Sequence, residues 1–559
     1  MDDYIEILTG DFLKNSGIVA FIYLLKEDHA KENDDYIIDG NRLQVKKEYL
    51  KNTNLTNLYF QCMVKRYQNE TPIPKVIEEI ENILRRLNYE NIDEKDIQDR
   101  LSFISDKLGA ASFKTGINSI KDEVEDSDIY FSVINKSFKK SKLDDELKKK
   151  LLELNEFLTV DIVFETLCFK SICYNIINKF WEKSFLLRNN AKKNMKECYE
   201  ADFVKPLMDY LEIDTDKMND QCIDCGNLIN NKFSIPISFM KDFADDLVRK
   251  RSALFNFNMD MNLCPVCAFL YSLVPLGFLK YNRDYIFVNQ NGSIEELCRV
   301  NAYNIEHTKE KLQEDYQLCD KYQKIYQMIE GYALETQKLT NNNIQIITRS
   351  IKDNDQVKYE FDILDNYLIR IIKEQHVLKT LEYFKKKNVV KINDQYLSVF
   401  REVLKRILNR INMYDLINML LRQSIANSEQ NYLAFYVSRI VDIQYIIKGG
   451  KKMEQLYYAR EEGVKLRKEL SKFGNGDKYV DEAYRGTIYQ LANALKVDNR
   501  IKFVDIIIRI YSSIKAPIPY CISKILESEN GLEIGYLFLT GLKGANYEKK
   551  ELDGGKDDE

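Results

Sequence analysis

The chain has 559 residues, too many for one hydrophobic core, and its 45% hydrophobic and 30% charged residues are the composition of a globular protein of two to four domains. Only 8 prolines and 21 glycines leave little material for flexible linkers, so disorder is expected only at the ends. A net charge of −5 excludes a uniformly basic nucleic-acid binder, so a polyanion would have to meet a local basic patch.

At the N-terminus, "MDDYIEILTG" has neither the basic nor the apolar region of a signal peptide. The most apolar run, "CPVCAFLYSLVPLGFL", is short and carries Pro265 and Pro275, so a cytoplasmic protein without membrane spans is expected. "TGDFLKNSGIVAFIYLL" reads as a turn and an apolar helix, and "YIIDGNRLQV" reads as a hairpin about Asp39-Gly40. From Lys46 to about Glu212 the pattern is largely helical; one such helix follows Pro72 and Pro74, with Val76, Ile80, Ile83, Leu84 and Leu87 along one face.

Further on, "FLKY" and "YIFV" flank Asn282-Arg283-Asp284 as a second hairpin, and Ser293 with Glu296 forms a capping box that starts a helix near Ile294. After about Glu360 no strand is expected. The C-terminal segments break at Gly449-Gly450, Gly474-Asn475-Gly476, Asp498, Pro517 and Asn530-Gly531, as in a helical bundle. The expected fold class is α+β, predominantly α-helical. Its divisions are an N-terminal α+β domain over 1–214, a four-cysteine subdomain with a hairpin over 215–292, a helical connection over 293–390 and a C-terminal bundle over 391–559.

The sharpest chemical signal is a pair of knuckles, Cys222-x2-Cys225 and Cys264-x2-Cys267. Each presents two sulfurs to one metal, and four thiolates close a tetrahedral zinc shell. Gly226 lets the backbone turn beside the first pair and Pro265 stiffens the second. The 38-residue spacer exceeds the roughly 15 to 20 of compact ribbons, so one structural Zn2+ per chain would tie together a larger subdomain. His29, His307 and His376 all lie away from the knuckles in sequence, which favours a structural ion over a catalytic one. The other seven of the 11 cysteines, such as Cys168 and Cys173 in "ETLCFKSICYN", read as core packing.

The common nucleotide-binding and hydrolase motifs are absent, and acidic pairs such as Asp245-Asp246 and Glu461-Glu462 fit solvated helix faces, so no catalytic residue is assigned and the chain is not read as an enzyme. Candidate phosphate contacts are Lys139 and Lys140 in "KSFKKSK", Arg249, Lys250 and Arg251 between the knuckles, and Lys448, Lys451 and Lys452 in "KGGKK". Residues 401–510 hold 20 Lys plus Arg against 13 Asp plus Glu, a bias toward a polyanion partner.

The paired knuckles, the early "LTGDFLKNSGIVAF" and the later "YIFVNQNGSIEEL" resemble the CXXC-CXXC family of CRISPR-associated proteins, the large subunits of type I-B Cascade surveillance complexes. The resemblance spans roughly residues 9–300 and continues beyond only as helical architecture. It implies a non-cleaving protein that binds the 5′ end of the guide RNA, reads the motif flanking the target and stabilises displaced DNA. The implied partners are CRISPR guide RNA, target double-stranded DNA, the other Cascade backbone and small subunits and a helicase-nuclease, with no membrane. Two other classes are carried alongside: a free-standing zinc-containing RNA or protein adaptor and a metal-dependent nuclease. Finally, Lys-Gly-Gly before Met453 can encode a purine-rich ribosome-binding sequence, so residues 453–559 are a candidate separate small-subunit-like product.

Overall fold

The hairpin about Asp39-Gly40 forms as its β-branched residues require: Tyr36–Asp39 pairs antiparallel with Arg42–Lys46, which pairs on its other side with Tyr4–Leu8. Ile5, Ile7, Leu43 and Val45 face inward from this three-stranded sheet. The computed structural model describes residues 3–87, 94–182, 194–213, 218, 220–243, 261–281, 284–290, 292–306, 326, 344–351, 356–386, 389–392, 395–450, 453–474 and 476–545. Helices dominate, accompanied by small antiparallel sheets, in agreement with the expected fold class. No helix among the described residues is long and apolar enough to cross a membrane.

The chain divides into two compact units, Met1–Leu312 with Ile344–Phe361, and Gln313–Asn343 with Asp362–Glu559. In the first, one apolar core runs from Ile5 to Ile347 and takes in Cys222, Cys264 and Cys267. The cysteine region is thus continuous with the unit's core. The Phe12–Glu27 helix is capped by Asp11, whose side chain accepts from the Lys14 amide, and is buried from Leu13 to Leu25. A helix buried on all sides needs apolar residues all round, as "GIVAFIYLL" supplies. The helix after Pro72 spans Ile73–Arg86 and buries Val76, Ile80 and Ile83, as its spacing requires. The single tryptophan, Trp181, lies buried among Tyr199, Phe203 and Phe239.

A four-stranded sheet carries the second expected hairpin, Leu279–Tyr281 with Asp284–Asn289, at one edge; its order continues through Ile344–Ile351 to Val357–Leu364. The helix Ile294–Glu306 begins at the expected residue. Ser293 caps the Glu296 amide at 3.1 Å, while the Glu296 carboxylate accepts from Gln290 at 2.6 Å.

The stretch 293–390 is therefore not wholly helical, and strands persist after Glu360: Val357–Leu364 runs past it and Val389–Ile392 pairs with Gln395–Ser398. The cause is legible in "VVKINDQYLS", where β-branched residues flank Asn-Asp, a pair suited to a tight turn.

In the second unit the helices Leu433–Ile447, Glu454–Ser471, Asp477–Ala483, Arg485–Lys496, Arg500–Ser513, Cys521–Glu527 and Gly531–Leu542 are separated at the expected breaks and at one further break, Tyr484, which the sequence did not announce; Asn475 lies outside the described residues. Glu454–Ser471 and Gly531–Leu542 cross backbone to backbone, because a Cβ at Gly463 would stand 2.0 Å from the Phe538 carbonyl oxygen and one at Gly541 2.1 Å from that of Arg460. Two buried carboxylates add specificity. Asp481 receives Arg467 at 3.0 Å, Lys543 at 2.7 Å and Asn431 at 2.8 Å. Glu533 receives Lys448 at 2.7 Å and the Tyr414 hydroxyl.

Gly463→Ala forces this crossing apart and is expected to destabilise the second unit by about 1–3 kcal/mol. Gly486→Ala, where a Cβ meets nothing within 4 Å, is expected to stabilise the Arg485–Lys496 helix by about 0.4–1 kcal/mol. Hydrogen exchange of the helices 454–471, 485–496 and 531–542 under increasing urea checks the opposite signs.

Candidate metal centre

The first knuckle is the tip of a short hairpin in which Asp220 pairs with Ile229 and Gln221 with Leu228. The Gly226 amide donates to the Cys222 carbonyl at 2.9 Å and the Cys222 amide to that of Asn227 at 2.8 Å, which curls the chain so that both sulfurs point one way. Gly226 has φ +74°, a conformation that a side chain would strain.

The second knuckle is built on a helix end. Cys264 caps Pro265–Ser272, its sulfur accepting from the Cys267 amide at 3.4 Å, and Pro265 occupies the first turn, where a missing N–H costs nothing. Helix N-terminal amides favour negative charge on sulfur. The Ile223 amide bonds the Asn262 carbonyl at 3.0 Å and ties the two knuckles together.

The four sulfurs lie within 4.8 Å of one another, with Cys225 and Cys264 at 3.6 Å. Zinc–sulfur bonds of about 2.3 Å put the sulfurs of a tetrahedral site about 3.8 Å apart, so this donor set fits one such ion. Cys222, Cys264 and Cys267 are buried and Cys225 is exposed. Hydrogen bonds among the sulfurs draw Cys222 well below an ordinary thiol and Cys225 below it too, and drive Cys264 and Cys267 well above it. Negative charge is thus favoured on the first knuckle by the protons of the second, and further ionisation meets like charge. Four thiolates at this spacing need a cation.

The other described cysteines behave as packing groups. Burial pushes the thiols of Cys62, Cys168, Cys173, Cys298 and Cys521 up to about 12, where they stay protonated at neutral pH.

Sequence reading did not single out what surrounds the cluster. Lys14, near the start of the first helix, places its ammonium 2.9 Å from Asp224, the residue before Cys225, and the two side chains are only 6% and 14% exposed. Burial acts to lower the pKa of Lys14, but the charge and hydrogen bond of Asp224 outweigh it and raise it, with smaller contributions from Cys267 and Cys225. The neighbouring Asn15 donates to Asn289 at 2.7 Å, and Asn289 to Gln345 at 3.1 Å. The stretches 9–22, 222–225 and 285–297 thus converge on the start of the first helix. A lysine and two asparagines flanking apolar runs were the available signal, and nothing in their spacing joins them to the knuckles.

The candidate phosphate contacts are scattered. Lys139 pairs with Asp106, Lys140 is exposed, and Lys448 is engaged by Glu533; Arg249, Lys250, Arg251, Lys451 and Lys452 lie outside the described residues. Much of the positive excess over 401–510 is matched at close range, as in Lys465–Glu462, Lys472–Glu469, Arg500–Asp498 and Arg509–Asp505. No family model, curated protein or solved structure matches the chain.

Because a structural ion contributes its binding free energy to folding, Cys264→Ser is expected to expose the segment 220–290 to protease at least about tenfold faster, whereas Cys168→Ser leaves that segment protected. Mapping cleavage sites in both full-length variants checks the contrast.

Proposed function

We propose that the four cysteines hold one structural zinc ion and that the chain is the large subunit of a type I-B CRISPR surveillance complex. The observation that carries the reading is convergence: the knuckles, the "LTGDFLKNSGIVAF" stretch and the "YIFVNQNGSIEEL" stretch, which together bear the resemblance, meet through Lys14–Asp224 and Asn15–Asn289. Segments distant in sequence that build one local structure support a shared role.

In this reading the zinc, held by Cys222, Cys225, Cys264 and Cys267, supplies cross-linking and no reaction step. The residues themselves fix the hairpin at 220–229 against the helix 265–272, giving the first unit a rigid surface for guide RNA and for DNA beside the target. The helical second unit would line displaced DNA, and phosphates would be met on the first unit by basic side chains, Lys140 and the 249–251 cluster among them.

Elemental analysis of protein purified without chelator is expected to give one zinc per chain, and a pull-down from native cells followed by RNA sequencing is expected to recover guide-sized RNA. Zinc-free protein would refute the metal centre; a pellet with no such RNA would refute the complex. Charge reversal at Arg249, Lys250 and Arg251 is expected to flatten the dependence of log affinity on log salt by up to about 2.7, the share of three phosphate contacts on duplex DNA. Titration of binding between low and moderate salt measures it.

A further inference from the structure

We infer that Lys14 is the buried cation that offsets the negative charge of the loaded Cys222–Cys225–Cys264–Cys267 centre and so sets how tightly that centre holds its metal, an inference that rests on the zinc reading above. Four thiolates around a divalent ion leave two negative charges in excess, in surroundings where three of the four cysteines are buried. Such charge is held by amide donors and by nearby cations.

Lys14 is 4% exposed, and a lysine at that depth requires a partner. Asp224 supplies one at 2.9 Å, yet a buried lysine–carboxylate pair contributes little to stability compared with apolar residues in its place. Its location provides a reason for keeping it. Asp224 stands between Cys222 and Cys225 within the knuckle, so the ion pair at 2.9 Å brings the ammonium against the loop that carries two of the four sulfurs.

The surrounding backbone fixes this delivery. Asp11 caps the helix at the Lys14 amide at 2.8 Å. Three residues on, Gly17 brings the helix so close to Leu270 that a Cβ would lie 2.4 Å from its carbonyl oxygen. The lysine stem also folds over Gly10, where a Cβ would meet the Lys14 Cδ at 2.8 Å.

A lysine that merely braces Asp224 and a lysine that compensates the thiolates predict different signs. Removing Asp224 releases the ammonium to act on the sulfurs undivided, whereas removing Lys14 leaves a carboxylate beside them. Full-length protein is loaded with zinc, and transfer of the ion to a chromogenic chelator is followed at fixed pH. Lys14→Met is expected to weaken zinc retention about tenfold or more, Lys14→Arg to keep it near the unsubstituted value, and Asp224→Asn to leave it equal or tighter. Equal loosening by Lys14→Met and Asp224→Asn overturns the inference in favour of a bracing ion pair, as does retention unchanged in Lys14→Met. Where Lys14→Met does not fold, Asp224→Asn decides alone: looser binding overturns the inference and unchanged or tighter binding supports it. Unsubstituted protein that takes up no zinc overturns the metal reading itself and this inference with it, whereas zinc-holding unsubstituted protein with an indifferent Lys14→Met overturns this inference alone.

Discussion

The first unit depends on the close approach of its first helix to the helices that follow the second cysteine pair. A Cβ at Gly277 would stand 2.1 Å from the Ser16 carbonyl oxygen, so the two backbones touch without intervening side chains. At that separation Lys14 reaches Asp224 and Asn15 reaches Asn289. The same anchor holds the other neighbours, since the Tyr67 hydroxyl bonds the Pro275 carbonyl at 2.7 Å and that of Phe278 at 2.8 Å. A wider gap would leave these buried polar groups unpaired, each at a cost of about 1–3 kcal/mol, so packing and polar satisfaction select one geometry together.

The second unit applies the same logic with ions. Arg467 is 4% and Lys543 2% exposed, and both point at Asp481. Burial alone would raise the Asp481 pKa, but hydrogen bonds from Arg467 and Lys543 outweigh it and hold the carboxyl below its ordinary value. Two cations on one carboxylate leave positive charge to be met, and Arg467 meets it at the Asp477 carboxylate, 3.4 Å away, and by donating to the carbonyls of Leu542 and Asp477, both at 3.1 Å. Such an arrangement tolerates one register among the helices 454–471, 477–483 and 531–542, which an all-apolar interface would fix less sharply.

What the sequence made legible follows from the range of the forces involved. Helix ends at Gly449, Asp498 and Gly531 come from local chain geometry, and the sulfur cluster comes from a ligand spacing that few other purposes explain. Hairpins announced by Asp39-Gly40 and Asn282-Arg283-Asp284 were readable for the same local reason. The strand Ile344–Ile351 was not, because its partner Asp284–Asn289 lies more than fifty residues earlier and short apolar runs do not reveal pairing. Lys14 was hidden for a related cause: nothing in "DFLKNSG" indicates that its ammonium ends beside a carboxylate 210 residues away. Charge counts misled in the opposite sense, since the basic excess over 401–510 includes Arg467 inside the bundle and many side chains that face a carboxylate one helical turn away.

The same contacts bear on a separate product beginning at Met453. It would keep the Arg467–Asp481–Lys543 cluster and the crossing at Gly463 and Gly541, so much of the polar and steric specification of its helices is internal. It would lack Lys448 and Tyr414, the partners of Glu533, and Asn431, a partner of Asp481. In the whole chain Glu533 is fully buried, and Tyr536, one turn on, bonds Asn418 at 3.1 Å from the segment before Met453. The face of Gly531–Leu542 that carries both residues would then meet water, where the carboxylate is readily solvated but Tyr536 and the apolar residues around it are not. A product starting at Met453 therefore carries its own internal clamp and one uncovered face, and its solubility alone would depend on that face finding a cover.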